Sequence, residues 1–349
     1  MALEGLQIVD YRALSGVDFE GLGRVSLFVG GNNSGKSSLL EAAGLVLRPF
    51  DPGQWVQTAT HRDASPHIAS GLWSMFPRTS ALHVDDTGVQ TAQPLRLAAT
   101  VHGVRRTLEV GGSARAELIT GEHGDEWLDA VVELDARLQE GEAEVKSHPM
   151  VFGWNKHTRS SRSTERVFTV TPATHRSTRQ LLRSFSRALD ADRKELALRL
   201  LRLFDPQVED VFISEAYGAE HLRVKHEARG VADLSSFGDG MRRSVAIALA
   251  FALAESGVVL IDEIEGGIHP RALKDVITHL LQAAVATDVQ LLATTHSLEA
   301  IDAVLDAVNA VAITDVVGYH IRRAGQGHQV RRYGQEKLLL LREGGLDLR

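Results

Sequence analysis

The stretch Gly30-Gly31-Asn32-Asn33-Ser34-Gly35-Lys36-Ser37 constrains this chain more than any other, because it fits the phosphate-loop pattern G-x-x-x-x-G-K-[ST] without a mismatch. Residues 24–29 before it read as a strand, and residues 38–47 after it have the apolar spacing of a helix. Strand, glycine loop and helix in this order form an anion nest of inward-turned N–H groups, backed by the positive end of the helix dipole. In such a loop Gly30, Asn32, Asn33, Ser34, Gly35, Lys36, Ser37 and Ser38 would line the phosphates of ATP. Lys36 would reach the β- and γ-phosphates, and the Ser37 hydroxyl would sit on Mg²⁺. Many loops of this kind have glycine where Asn33 stands. Asparagine tolerates positive φ better than other non-glycine residues, so the nest is expected to survive the exchange.

A second apolar strand, Val258-Val259-Leu260-Ile261, ends in Asp262-Glu263. Two adjacent carboxylates at the end of a buried strand are costly unless a metal or hydrogen-bond donors meet them. Asp262 is expected to hold Mg²⁺, and Glu263 to polarise the attacking water. A third apolar strand, Leu291-Leu292-Ala293-Thr294, ends in Thr295-His296-Ser297. A neutral His296 imidazole there could donate to the γ-phosphate or order the water. Residues 234–243 (LSSFGDGMRR) open a helix, and Ser236, Gly238 and Gly240 at its start suggest a second anion site. The plainer alternative is an N-cap by Ser236 or Asp239.

Composition narrows the class. The 349 residues suit one large domain or two, and 44% are hydrophobic, enough for a real core. A formal net charge of −7 argues against a chain that is basic throughout and built for nucleic acid. With no cysteine, disulfides, thiolate zinc sites and cysteine nucleophiles are excluded. The N-terminal residues lack a signal-peptide profile, and the longest apolar run, residues 245–254, is too short to span a bilayer. A soluble cytoplasmic protein with no membrane partner is expected.

Residues 6–10 and 17–19 read as a hairpin, and residues 49–80 show only Pro and Gly punctuation. Alternating runs at 81–84, 95–101, 106–110 and 116–119 predict antiparallel strands. Charge then polarises. Residues 117–144 hold ten acids against one base, and the spacing of Trp127, Leu128, Val131, Val132, Leu134 and Leu138 suggests a helix. Residues 156–202 hold twelve bases against four acids, much of it in helices near 177–189 and 191–204. Either these are solvated faces, paired with each other, or the basic stretch meets phosphate from DNA or an acidic partner. Further on, strands are expected at 208–213, 221–225, 257–262, 289–294, 310–313, 318–322 and 329–333. Helices are expected at 240–255, 270–286, 297–307 and 335–342.

In this order the stretches resemble the ABC-type ATPase head of the RecF, SMC and OLD (overcoming lysogenisation defect) group, most closely the OLD-like ATPases. Residues 262–270 (DEIEGGIHP) resemble that group's D-E-x-E-x-x-x-H-P, residues 294–297 its switch-histidine motif, and residues 235–243 its degenerate signature. Residues 9–12 (VDYR) resemble its N-terminal F-R element, which implies that Arg12 lies near the nucleotide. The motifs cover about 1–48 and 205–349. The signature is not L-S-G-G-Q, and Gln54, Gln57, Gln90 and Gln93 are all candidates for a Q-loop glutamine. No stretch supports a Toprim nuclease domain such as OLD-family nucleases carry.

The resemblance implies an α/β fold, a P-loop NTPase of the ABC-head type. Its core would be 1–48 and 205–349, with an antiparallel β lobe at 49–120 and a charged helical insertion at 121–204. It also implies a homodimer or higher oligomer that sandwiches Mg·ATP between one copy's phosphate loop and the other's signature helix. The dimer would control a separate effector or nuclease in DNA repair or anti-phage defence. Two other readings stand beside this one: an ATP-gated DNA-binding module with little turnover, and a transporter ATP-binding subunit. The departure from L-S-G-G-Q argues against the second.

Overall fold

The computed structural model describes residues 3–60, 67–78, 82–83, 88–120, 125–153, 156–158, 165–216, 218–325 and 327–343. The chain opens with β1 (Leu3–Tyr11), β2 (Leu14–Glu20) and β3 (Val25–Val29), then α1 (Lys36–Leu47), α2 (Pro52–Thr60) and α3 (Ile68–Trp73). A β-rich stretch follows: β4 (Gln90–Val101), β5 (Val104–Thr120), β6 (Glu126–Glu140), β7 (Lys146–Gly153), β8 (Lys156–His157) and β9 (Val167–Val170). Next come α4 (Thr178–Asp190), α5 (Lys194–Phe204), β10 (Val208–Ala216), β11 (Ala219–His226), β12 (Gly230–Asp233) and α6 (Asp239–Ala254). The chain closes with β13 (Val258–Ile261), α7 (Leu273–Ala286), β14 (Gln290–Thr295), α8 (Leu298–Val311), β15 (Val316–Ala324), β16 (Gly327–Gly334) and α9 (Gln335–Glu343).

Two large sheets enclose α1. One is the seven-stranded sheet β2-β1-β4-β5-β6-β7-β8, antiparallel throughout. The other has the order β16-β15-β3-β14-β13-β9 and is parallel except for β16 at its edge. Every residue of α1 except Ser37 is buried. That explains why its sequence is apolar nearly all round rather than striped. Phe28, Leu260 and Leu292 on one face of the parallel sheet share a core with α1 and the antiparallel sheet. Val25, Leu27, Val259, Ile261, Leu291 and Ala293 on the other face share a core with α4 to α8. A separate sheet of β10, β11 and β12 packs on α4 and α5.

The helix expected from the spacing of Trp127 to Leu138 is a strand, β6. Val132, Leu134 and Ala136 are buried, while Glu133, Asp135 and Arg137 alternate with them on the other face. This period of two holds where β5 and β7 flank the strand on both sides. The charges pair locally as well. Glu133 meets Arg115 across the strand pair, and Glu140 meets Arg106 and Lys146 at 2.8 Å each. Among the described residues Glu133, Asp135 and Glu140 thus find their counter-charges in their own sheet and not in the basic stretch. The charged insertion expected at 121–204 is helical only in its second half, where α4 and α5 lie close to the expected helices. The strand expected at 310–313 is instead the end of α8 and the turn after it, with Ala312 left-handed at its C-cap. Of the run expected at 81–84, residues 81 and 84 lie outside the described residues, and Leu82 and His83 stand in no strand.

Candidate nucleotide site

The parallel sheet delivers the ends of three strands, β3, β13 and β14, to one edge. In register, Ile261 pairs with Ala293 and Ala293 with Leu27, so the residues that follow β13, β14 and β3 emerge side by side. Ligands of open parallel sheets bind beyond such carboxyl ends. Here that edge opens into a cleft of about 1410 Å³ lined by Arg12, residues 32–38, Asp262, Glu263 and His296, among others.

The loop after β3 has nest geometry. Asn33 stands at φ 60°, which confirms the expected tolerance of this asparagine, and Gly35 stands at φ 91°. At Gly30 a Cβ would lie 2.2 Å from the Ile321 carbonyl oxygen and 2.8 Å from Ser34 Oγ, so only glycine fits. Gly35 is the N-cap of α1 and supplies no side-chain bond, which leaves first-turn N–H groups aimed at the loop. Lys36 Nζ donates to the Gly30 and Gly31 carbonyls at 2.7 and 2.8 Å. To hold phosphate, Lys36 would exchange those carbonyls for phosphate oxygens. Burial pushes its ammonium below the usual lysine value, while Asp262, Glu265 and Glu263 act to keep it charged.

The second and third strand ends are stitched together by Thr294. Its hydroxyl donates to Asp262 Oδ1 at 2.6 Å and accepts the Glu263 N–H at 2.9 Å. Glu263 itself is left-handed, at φ 50°. Such a conformation is uncommon outside glycine and costs of the order of 1–3 kcal/mol unless the surroundings hold it. Glu265 orients His296: one carboxylate oxygen accepts the His296 N–H at 3.1 Å and lies 3.3 Å from Nδ1. Sequence reasoning missed both Thr294 and Glu265 as site residues, although both stand inside the motifs that drew attention to their neighbours.

Arg12 sits at φ 51° in the turn between β1 and β2. Its Nε donates to Glu41 at 2.7 Å, and Nη1 donates to Ser74 Oγ at 2.8 Å. The Tyr11 hydroxyl donates to the same Glu41 oxygen at 2.7 Å. Burial and then Glu41 raise the Tyr11 phenol far above its ordinary value, so it remains a donor. Glu41 and Ser74 thus hold Arg12 at the cleft wall.

The donor set suits Mg²⁺ only together with phosphate. Ser37 and Asp262 line the cleft and also share a small cavity with Gln54, Gln57, Thr169 and Thr171. Among the described residues no group of three or more His, Cys, Asp or Glu would hold a metal on its own. One hydroxyl, one carboxylate and phosphate oxygens make the oxygen-rich set that Mg²⁺ takes in such sites. Of the Q-loop candidates, Gln54 and Gln57 lie at this cavity, with Gln57 Nε2 3.5 Å from the Thr169 carbonyl. Gln90 and Gln93 lie in β4, and Gln90 donates to the His83 carbonyl.

Ser236, Gly238 and Gly240 are not brought to this cleft. They are exposed at the start of α6. Neither Ser236 nor Asp239 is the N-cap. Gly238 is, with no side-chain bond, so the plainer capping alternative does not hold. The helix start thus carries no side-chain cap and takes no part in the lining of this copy's cleft.

The family described as "AAA domain, putative AbiEii toxin, Type IV TA system" matches residues 132–302. An uncharacterized protein of Methanocaldococcus jannaschii, MJECL11, is 33% identical over 113 residues, which is 32% of this chain and 98% of that protein. A solved SmcHead bound to the C-winged helix domain of ScpA aligns over 97% of this chain and 99% of its own, at 12% identity and a TM-score of 0.52. The SMC head domain from Thermotoga maritima aligns over 95% and 99%, at 13% identity and a TM-score of 0.45. Fold and site together define a P-loop NTPase with an ABC-type ATPase head. The chain belongs to one family with the M. jannaschii protein, and its fold and the matching family model are of the P-loop ABC/AAA type. Among the described residues no helix is long and apolar enough to cross a membrane.

Proposed function

We propose that the protein binds and hydrolyses ATP, and that two copies close on the nucleotide. The observation that carries this reading is the convergence of Lys36, Ser37, Asp262, Glu263 and His296 on one cleft. Lys36 and the loop N–H groups hold the polyphosphate. Ser37 and Asp262 hold Mg²⁺, which when bound neutralises charge on the phosphates. Glu263 accepts a proton from the attacking water, and His296, oriented by Glu265, donates to the γ-phosphate or orders that water. Arg12 lies on the nucleotide's flank.

The open helix start at Ser236, Gly238 and Gly240 then serves the nucleotide of a second copy. Supporting this is its exposure and its absence from the lining of its own chain's cleft. The nucleotide-driven dimer regulates a separate effector or nuclease in the cytoplasm, in DNA repair or anti-phage defence. The motif resemblance to OLD-like ATPases and the toxin–antitoxin wording of the matching family favour that setting. ATP turnover by the wild type, Lys36→Ala and Glu263→Gln tests the site. Turnover is expected in the wild type and a loss of at least a hundredfold in both variants. Lack of turnover in the wild type would overturn the reading.

A specific observation favours a second reading, an ATP-gated DNA binder. Arg179, Arg183 and Arg187 lie on one exposed face of α4, and none forms an ion pair among the described residues. Salt-dependent DNA binding that is lost on neutralising these three, with negligible turnover, would favour it.

A further inference from the structure

Arg243 is 1% exposed, in the second turn of α6, and has no role in the site as described so far. Its Nη2 donates to the Glu263 carbonyl at 2.7 Å, while Nε and Nη1 have no hydrogen-bond partner among the described residues. It lies under the turn that follows Glu263: a Cβ on Gly266 would stand 3.2 Å from Nη1, and one on Gly267 3.9 Å from Cδ. Glu265 Oε2, in the same turn, is likewise buried without a partner. An arginine stays charged even when buried, so placing it here carries a cost that ordinary packing does not recover.

Glu263 is the residue this placement serves. Its backbone is left-handed, at φ 50°, and its two polar groups are clamped from opposite sides. Thr294 Oγ1 takes the N–H at 2.9 Å, and the Arg243 guanidinium and the Gly266 N–H, at 2.8 Å, meet the carbonyl. The Thr294 side of the clamp belongs to the nucleotide edge of the sheet. The Arg243 side belongs to α6, whose exposed tip at Gly238 lies five residues back, about 7.5 Å along the helix axis at ~1.5 Å per residue.

We propose that Arg243 is a positioning residue: it fixes the backbone of Glu263, and so the aim of the Glu263 carboxylate, and makes that aim depend on the position of α6. A displacement of the α6 tip is passed through one buried side chain to the carboxylate that activates water. Contact with a second copy's nucleotide would thereby set turnover in this copy's own cleft. The inference rests on the reading of the cleft as an ATPase site.

The test measures kcat and KM for ATP in the full chain carrying Arg243→Met and Arg243→Lys, with ATP affinity from a fluorescent analogue. Arg243→Met is expected to lower kcat at least tenfold while KM and affinity stay within twofold. Arg243→Lys, which keeps one donor within reach of the carbonyl, is expected to recover part of kcat. A merely structural arginine would change melting temperature and affinity along with kcat and would not be rescued by lysine. Unchanged kcat in Arg243→Met, or equal losses of kcat and affinity without rescue, overturns the inference while leaving the ATPase reading in place. If Arg243→Met does not fold, Arg243→Lys decides by the same split: a several-fold lower kcat at unchanged KM supports the inference, and wild-type kcat overturns it. Absence of ATP turnover in the wild type removes both readings.

Discussion

The Thr294 hydroxyl bonds Asp262 Oδ1 at 2.6 Å and, through its lone pair, takes the N–H of Glu263, so one side chain fixes both members of the acidic pair. Thr294 is buried completely and sits at the end of β14, next to the strand that carries the pair. The link between two neighbouring strands is therefore a hydroxyl, not the backbone ladder alone.

Thr294→Val keeps the shape and removes the hydroxyl. The Glu263 N–H loses its acceptor and Asp262 loses a donor. The expected cost is about 1–3 kcal/mol of stability for the unpaired buried groups. Turnover should fall by at least tenfold, because Glu263 is released from its left-handed backbone. Urea unfolding and an ATPase assay on the same preparation check both.

β6 makes a second prediction. Leu134 faces the core at 1% exposure, while Leu128 lies beyond the region flanked by β7 and is 48% exposed. Leu134→Ala should cost about 2–5 kcal/mol, as core truncations do, and Leu128→Ala should stay within ~0.5 kcal/mol. In a helix of the kind the sequence suggested, both leucines would belong to one apolar stripe and cost alike. Denaturation midpoints of the two variants separate the cases.

The error over β6 has a physical source. Residues 127–132 break the strand alternation with Trp127, Leu128, Val131 and Val132, and a run of acids looks like a solvated helix face. The alternation from Val132 onward was present but short, and strand pairing is a long-range fact. By contrast, the phosphate loop, the strand with its acids at 258–263 and His296 at the cleft were legible because each is a local pattern with local chemistry. Even the left-handed Asn33 could be anticipated from its residue type. Arg243 was not legible. In the sequence it is one of two adjacent arginines in a polar helix start, and only the fold shows that it points under the Glu263 turn while Arg242 reaches the Arg176 carbonyl.

His175 supplies a pH prediction. It is buried at 2% exposure, and neither ring nitrogen has a hydrogen-bond partner among the described residues, although Asp239 lies 3.6 Å away. Burial, opposed by Asp239 and aided by Arg243, lowers the imidazole below its ordinary value. As pH falls through about 6.5, the unfolded chain takes up a proton that the folded chain refuses. Stability should therefore drop below that pH and level off once the folded histidine also titrates. His175→Gln should flatten this part of the profile. Urea midpoints at neutral and mildly acidic pH, compared for wild type and variant, measure it.

The central claim is that the cleft of one copy is finished by the α6 tip of another. Sedimentation of Glu263→Gln with Mg·ATP tests it most directly, because slowing hydrolysis should trap the closed pair. The account predicts a mass twice that of the chain with ATP and the monomer mass without it, with Gly238→Asp abolishing the doubling while ATP affinity persists. A variant that binds ATP yet sediments as a monomer at every protein concentration would contradict the account.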